Sequence, residues 1–185
     1  MKLIGEQFIS AAPSEVFAAL NDAEILRRCI PGCESLEKTS DTEMTASVTL
    51  KVGPVKASFT GKVELSNINP PTSYTISGQG GGVAGAAQGG ADVVLSTQDG
   101  GTMLRYDVKA QISGKIAQVG ARLIDSTAKK LAAQFFARLA EELSPVQEDP
   151  TQSPTPAQES SGSKKLIIAA IIAAIIGAFA YWAGN

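Results

Sequence analysis

The feature that most narrows the possible folds is a change of period at Gly114. Before it, apolar residues alternate with polar ones along successive segments. These are Met44, Ala46, Val48, Leu50 and Val52; Val55, Ala57, Phe59, Val63 and Leu65; Tyr74 and Ile76; Val93 and Leu95; and Leu104, Tyr106, Val108, Ala110 and Ile112. Period two marks strands with one buried face, and turns as short as Gly53-Pro54 and Asp99-Gly100-Gly101 join antiparallel neighbours. After Gly114 the period lengthens to about 3.6 residues. Ile116, Val119, Leu123, Thr127, Leu131, Phe135 and Leu139 then fall on one stripe, which predicts a long amphipathic helix over roughly residues 115–142. Its other face carries Lys115, Arg122, Lys129, Lys130, Arg138, Glu141 and Glu142, a solvated surface or a place for a partner to dock. A meander with one wet face buries the other beneath such a helix, so the expected architecture is α+β, a curved antiparallel sheet wrapped on a long C-terminal helix.

Ahead of the meander, Leu3 to Ser10 reads as a strand. Pro13 opens a short helix with Val16, Phe17 and Leu20 on one face, and a second helix from about Ala23 to Cys29 stops at Pro31-Gly32. Met1-Lys2-Leu3 runs straight into the strand pattern, so no signal peptide is expected.

Composition removes several kinds of chemistry. A net charge of −2 with interspersed signs gives no basic field for nucleic acid. The chain has no histidine, which excludes Ser-His triads and His-based metal sites. Cys29 and Cys33 are too few for a four-thiolate zinc site; they read as small apolar fillers near a helix end or as a redox pair. No catalytic or metal-ligating residue is assigned, and the inward positions are almost all apolar, which argues against an enzyme.

Three regions differ in composition. Residues 1–143 are periodic and form the expected binding domain. Residues 144–163 hold Pro145, Pro150, Pro154 and Pro156 among Ser, Thr, Gln and acids, a linker that cannot bury a core. As a flexible coil it spans about 25 Å, and roughly 60 Å if extended like polyproline. Residues 164–185 contain an uncharged run, Leu166 to Ala183, with one Leu, six Ile and one Phe. As a helix it would cover about 27 Å, and its large apolar residues favour insertion by about 4 kcal/mol. Lys164 and Lys165 precede it and Tyr181-Trp182 close it, so the expectation is a single C-terminal anchor in the inner (cytoplasmic) membrane, with the domain on the cytoplasmic side.

Gly78 to Gly90 reads GQGGGVAGAAQGG. It lacks the Gly-Lys-Ser/Thr ending of a phosphate loop, and strands flank it. Alternation from Tyr74 and Ile76 puts Gly78, Gly80 and Gly82 inward, and counting back from Leu95 does the same for Ala91, Gly89 and Ala87. Either these small residues let the sheet bend, or they leave a cavity against the helix. Small-molecule sites run about 300–1,000 Å³, and an empty apolar void of even the lower size costs about 7 kcal/mol. Such a hollow would have to collapse, admit water or hold an apolar ligand.

The order strand, two short helices, antiparallel strands and long helix resembles the helix-grip fold of START-like proteins. Pro13 to Asp22 (PSEVFAALND), Cys29 to Cys33 (CIPGC) and Gly114 to Ile124 (GKIAQVGARLI) more narrowly resemble the carbon monoxide dehydrogenase G-subunit family. The resemblance implies membrane recruitment of a molybdenum hydroxylase of the carbon monoxide dehydrogenase type, and a bound respiratory quinone (menaquinone or ubiquinone) with no covalent cofactor. It implies a pocket under the long helix, lined by Phe17, Leu20, Ile30, Phe59, Tyr106, Leu123, Thr127, Leu131 and Phe135, with Gly80 and Gly82 from the glycine stretch. Tyr106 is the inward polar group able to meet a quinone oxygen. The alternative is a recruitment module without a ligand of its own. The expected partners are therefore the lipid bilayer, a quinone and the hydroxylase.

Overall fold

Residues 1–144 are described by a computed structural model. The chain runs β1 (Lys2–Ile9), α1 (Pro13–Ala19), α2 (Ala23–Cys29), β2 (Cys33–Lys38), β3 (Glu43–Val52), β4 (Val55–Asn69), β5 (Ser73–Gly82), β6 (Gly85–Gln98), β7 (Gly101–Ser113), a 3-10 turn (Ala117–Val119) and α3 (Ala121–Glu142). The seven strands form one antiparallel sheet in the order β1-β7-β6-β5-β4-β3-β2. Hairpins join β2 through β7, while α1 and α2 carry the chain from one sheet edge to the other.

Local chemistry sets both short helices. Pro13 begins α1, where the Ala12 N–H donates to Glu15 Oε2 at 2.9 Å, and Asp22 caps α2 by accepting from the Glu24 and Ile25 N–H groups at 2.8 and 2.9 Å. The turn from β1 into α1 is fixed by fully buried Thr102, whose hydroxyl donates to the Ala11 carbonyl at 2.7 Å.

The alternation places side chains as expected. Met44, Ala46, Val48, Leu50, Phe59, Val63, Leu65, Tyr74, Val93, Leu95 and Leu104 are all buried. Against this face α3 buries Ala128, Leu131, Ala132, Phe135, Phe136 and Leu139. The four large side chains contribute roughly 6–12 kcal/mol as an upper bound, so the C-terminal two-thirds of α3 is firmly seated. Arg28 of α2 clamps its far end, with Nε and Nη2 each donating to a Glu142 carboxylate oxygen at 2.7 Å.

The structure corrects the expected helix start. α3 begins at Ala121 rather than near residue 115, because Gly120 takes φ +94°, outside the helical region. The preceding residues form only the short 3-10 turn. The expected stripe holds at Leu131, Phe135 and Leu139, which are buried, and fails at Leu123, which is 44% exposed, its Cδ1 reaching the β3–β4 turn, 3.4 Å from where a Gly53 Cβ would stand.

Among the described residues no helix is long and apolar enough to cross a membrane. The expected linker beyond Ser144 and the expected anchor over 164–185 lie outside the described residues.

Candidate functional site

Cross-strand register builds the inner face row by row. Gly61 of β4 pairs with Gly80 of β5, Gly80 with Ala87 of β6, and Ala87 with Ile112 of β7. In the next row Val63 faces Gly78, Gly78 faces Gly89, and Gly89 faces Ala110. Small side chains thus form a diagonal band across four strands. Gly61 and Ala110 belong to it but fall outside the glycine-rich stretch, so only strand pairing reveals them.

Part of this band is filled by backbone. A Cβ on Gly89 would lie 2.1 Å from the Lys109 carbonyl oxygen and 2.8 Å from Ala110 Cα; one on Gly82 would lie 2.1 Å from the Ser58 carbonyl oxygen. At these two positions glycine lets neighbouring strands approach and the sheet curl. Gly82 therefore contributes strand contact rather than a cavity wall.

The space left between sheet and helix divides in two. One apolar hollow of about 70 Å³ lies under the C-terminal half of α3, among Leu20, Tyr74, Ile76, Tyr106, Phe135 and Phe136. A second, about 50 Å³, lies under its N-terminal half among Phe59, Ala87, Ile116, Ile124, Thr127 and Leu131. Of the sequence candidates, Leu20, Tyr106 and Phe135 meet at the first, and Phe59, Thr127 and Leu131 at the second. Phe17 packs edge-on against Tyr74 with ring centroids 5.6 Å apart. Ile30 is buried in the main core, Gly80 sits within the small-residue band, and Leu123 lines neither hollow. A trough of about 740 Å³ lies on the opposite face of the sheet, lined by exposed Lys62, Glu64, Gln79, Gln88, Lys109 and Gln111. It is larger, but it is open to solvent and much of its lining is polar or charged.

Sequence reading missed two aromatic residues in the first hollow. Tyr74 sits level with Tyr106, with Val93 between them in register, so their backbones stand about 10 Å apart across two strand spacings. Phe136 stacks on Tyr106 with centroids 5.5 Å apart at 24° and meets Phe135 edge-on at 5.2 Å. Among the described residues neither phenol hydroxyl has a protein hydrogen-bond partner. Tyr106 folds over β1, its hydroxyl filling the place where a Gly5 side chain would stand. Tyr74 could have been flagged as a phenol in an inward register, but nothing in the pattern distinguishes it from core.

Burial raises both phenols above their ordinary pKa, Tyr74 most strongly. A raised folded-state pKa means stability is fully present below the unfolded value near 10 and is lost as pH rises above it. Fully buried Tyr74 then steepens the alkaline limb by up to about 1.4 kcal/mol per pH unit. Urea midpoints between about pH 9 and 11 should fall less steeply in Tyr74→Phe than in the parent; parallel curves would contradict this.

The cysteines are free. Burial pushes Cys29 up to about 11 and raises Cys33 as well, so neither is a ready thiolate. Among the described residues no group of His, Cys, Asp and Glu is placed to hold a metal ion.

The profile of the CoxG family, described as the G subunit of carbon monoxide dehydrogenase, matches residues 5–144. The chain belongs to this family. No curated protein matches it. A conserved protein from Geobacillus kaustophilus is similar over 77% of this chain and 95% of its own, at 29% identity and a TM-score of 0.74. A protein from Chromobacterium violaceum (13% identity, TM-score 0.61, covering 78% of this chain and 97% of its own) and one from Thermus thermophilus (15%, 0.60, 77% and 97%) share the fold. That fold is the START-like helix grip, and in this CoxG-family chain the two hollows lie where the helix meets the gripping sheet.

Proposed function

We propose that this chain binds an apolar electron acceptor, a respiratory quinone such as menaquinone or ubiquinone, between α3 and the sheet. On this reading it passes the quinone between the bilayer and a molybdenum hydroxylase of the carbon monoxide dehydrogenase type. Family membership supports the link to that enzyme, and the START-like fold supports ligand binding. The observation carrying the quinone is the pair Tyr74 and Tyr106, two phenols without protein partners in an otherwise apolar hollow. Neither hydroxyl is a fully buried orphan, and carbonyl oxygens at the two ends of a quinone ring would accept from such donors.

Size sets the condition for loading. Hollows of about 70 and 50 Å³ are below the roughly 300 Å³ of small-ligand sites, so cargo requires the helix to move. The N-terminal turns of α3 are the part that can. No residue from Ala121 to Thr127 is fully buried. The preceding segment turns at Gly114 and Gly120, at φ +80° and +94°, and the Ile116 N–H donates to the Ala84 carbonyl at 2.8 Å. Lifting this end joins the two hollows without breaking the Phe135–Leu139 contacts. The C-terminal apolar run supplies the membrane anchor, and the proline-rich linker gives the domain reach.

The full chain, extracted from its native membrane and analysed by mass spectrometry, should carry an isoprenoid quinone. Tyr74→Phe and Tyr106→Phe should each weaken quinone binding about tenfold, the worth of one hydrogen bond. Reproducible absence of quinone together with no saturable binding would end this reading. The small volume of the hollows favours the second reading, a recruitment module without cargo. In that case reversing Lys129 and Lys130 releases the hydroxylase while both phenols are dispensable.

A further inference from the structure

The two ends of the sheet differ in chemistry. At one end the β3–β4 turn, the β5–β6 turn and the segment leading into α3 come together. The Ile116–Ala84 hydrogen bond joins the latter two, and Leu123 over Gly53 joins α3 to the first. Residues 51–56, 82–86 and 113–123 contain the cations Lys51, Lys56, Lys115 and Arg122 and no carboxylate. The same segments expose Val83 at 92% and Leu123 at 44%, with Pro54 also exposed. At the opposite end the turns 39–42, 67–73 and 98–101 carry Asp41 and Asp99 and no cation.

Two details mark the basic end as more than ordinary surface. Lys51 and Lys56 are direct cross-strand partners, a like-charge pair that destabilises a sheet unless something neutralises it. None of the four cations is in an ion pair among the described residues. Val83 stands at a hairpin tip where a polar residue would serve the turn equally well. An apolar tip ringed by unpaired cations fits an anionic bilayer, with the apolar side chains entering the interface and the cations meeting headgroups. The hollow lined by Val52, Ala86 and Ile116 of these segments, with the adjoining Ile112 and Ile124, lies beside the pole, so docking would bring its apolar lining to the lipid.

We infer that this pole, centred on Val83, Leu123, Lys51 and Lys56, docks onto an anionic lipid surface. The inference deepens the membrane-facing part of the proposed function and rests on it. The chain leaves the domain after α3, whose 22 residues span about 33 Å, so docking needs the linker to run back along the domain. The linker reaches only when drawn out beyond its coiled span of roughly 25 Å, toward the roughly 60 Å of its extended form.

The full chain carrying Val83→Trp and Trp182→Phe, reconstituted into vesicles containing bromine-labelled lipid, has its tryptophan at the pole. Strong quenching is expected with about one-third anionic lipid and little with neutral lipid. Lys51→Gln with Lys56→Gln should weaken docking about 25-fold, roughly fivefold per cation. Thr97→Trp, at the opposite end, should stay unquenched. Quenching that is absent, equal on neutral lipid, equal at position 97, or dependent on added hydroxylase would overturn the inference, the last assigning the pole to a protein partner. Flotation of the chain with vesicles after a high-salt wash reads the anchor separately, so loss of anchoring and loss of docking are distinguishable.

Discussion

Gly89→Ala is expected to lower the melting temperature of the domain by about 10 °C, far more than its single added methyl suggests. The methyl would stand 2.1 Å from the Lys109 carbonyl oxygen and 2.8 Å from Ala110 Cα, and neither is a flexible side-chain end that could turn aside. Relief requires β6 to part from β7 in the middle of their ladder, where Gly89 pairs Ala110. Overpacking of this kind costs about 3 kcal/mol. Gly100→Ala is the control: Gly100 has φ +78° but nothing within 4 Å of its would-be Cβ, so it should lose only about 1 kcal/mol from left-handed strain. Thermal unfolding of the two variants side by side checks the claim, and a Gly89→Ala variant within 3 °C of the parent, roughly 1 kcal/mol, would contradict it.

Phe136→Ala should cost about 3–5 kcal/mol and enlarge the hollow beside Tyr106. Phe136 is 6% exposed, stacks on Tyr106 and packs edge-on against Phe135, so its removal strips one wall from the hollow of about 70 Å³. If that hollow is where a quinone ring settles, a soluble short-chain quinone at a hundredfold excess over its Kd should return about 2.7 kcal/mol to the variant. A drop in stability with no recovery at saturating quinone would point to a packed core and to the recruitment role. Should the alanine variant fail to fold, Phe136→Leu offers the same comparison at smaller cost.

The two expectations draw on different kinds of information in the chain. Phe136 lies beside Phe135 in a clearly helical stretch, but a stripe through Leu123 and Phe135 gives it no inward role. That stripe starts near residue 115; its Leu131, Phe135 and Leu139 are buried as expected, Phe136 is buried beside them, and Leu123 in the first turn of the helix is exposed. Gly120 is visible in the sequence as a glycine; that its φ interrupts the helix depends on the Ile116–Ala84 bond and the neighbouring β5–β6 turn. The glycine stretch leaves bending and cavity both open, and contact distances at Gly82 and Gly89 show backbone approach there. Gly61 and Ala110 enter the small-residue band only through their pairing with Gly80 and Gly89.

Periodicity alone determined the antiparallel meander, the closing helix and the inward identity of nearly every large apolar residue, because burial of one face dictates spacing along the chain. The motifs at Pro13–Asp22, Cys29–Cys33 and Gly114–Ile124 carried the family. Only the tertiary structure decided how much space remains between helix and sheet, that Tyr74 and Tyr106 share it, and that four cations gather at one pole. Those properties arise where strands distant in sequence meet, and register, which sets such meetings, is a property of the assembled sheet rather than of any one segment.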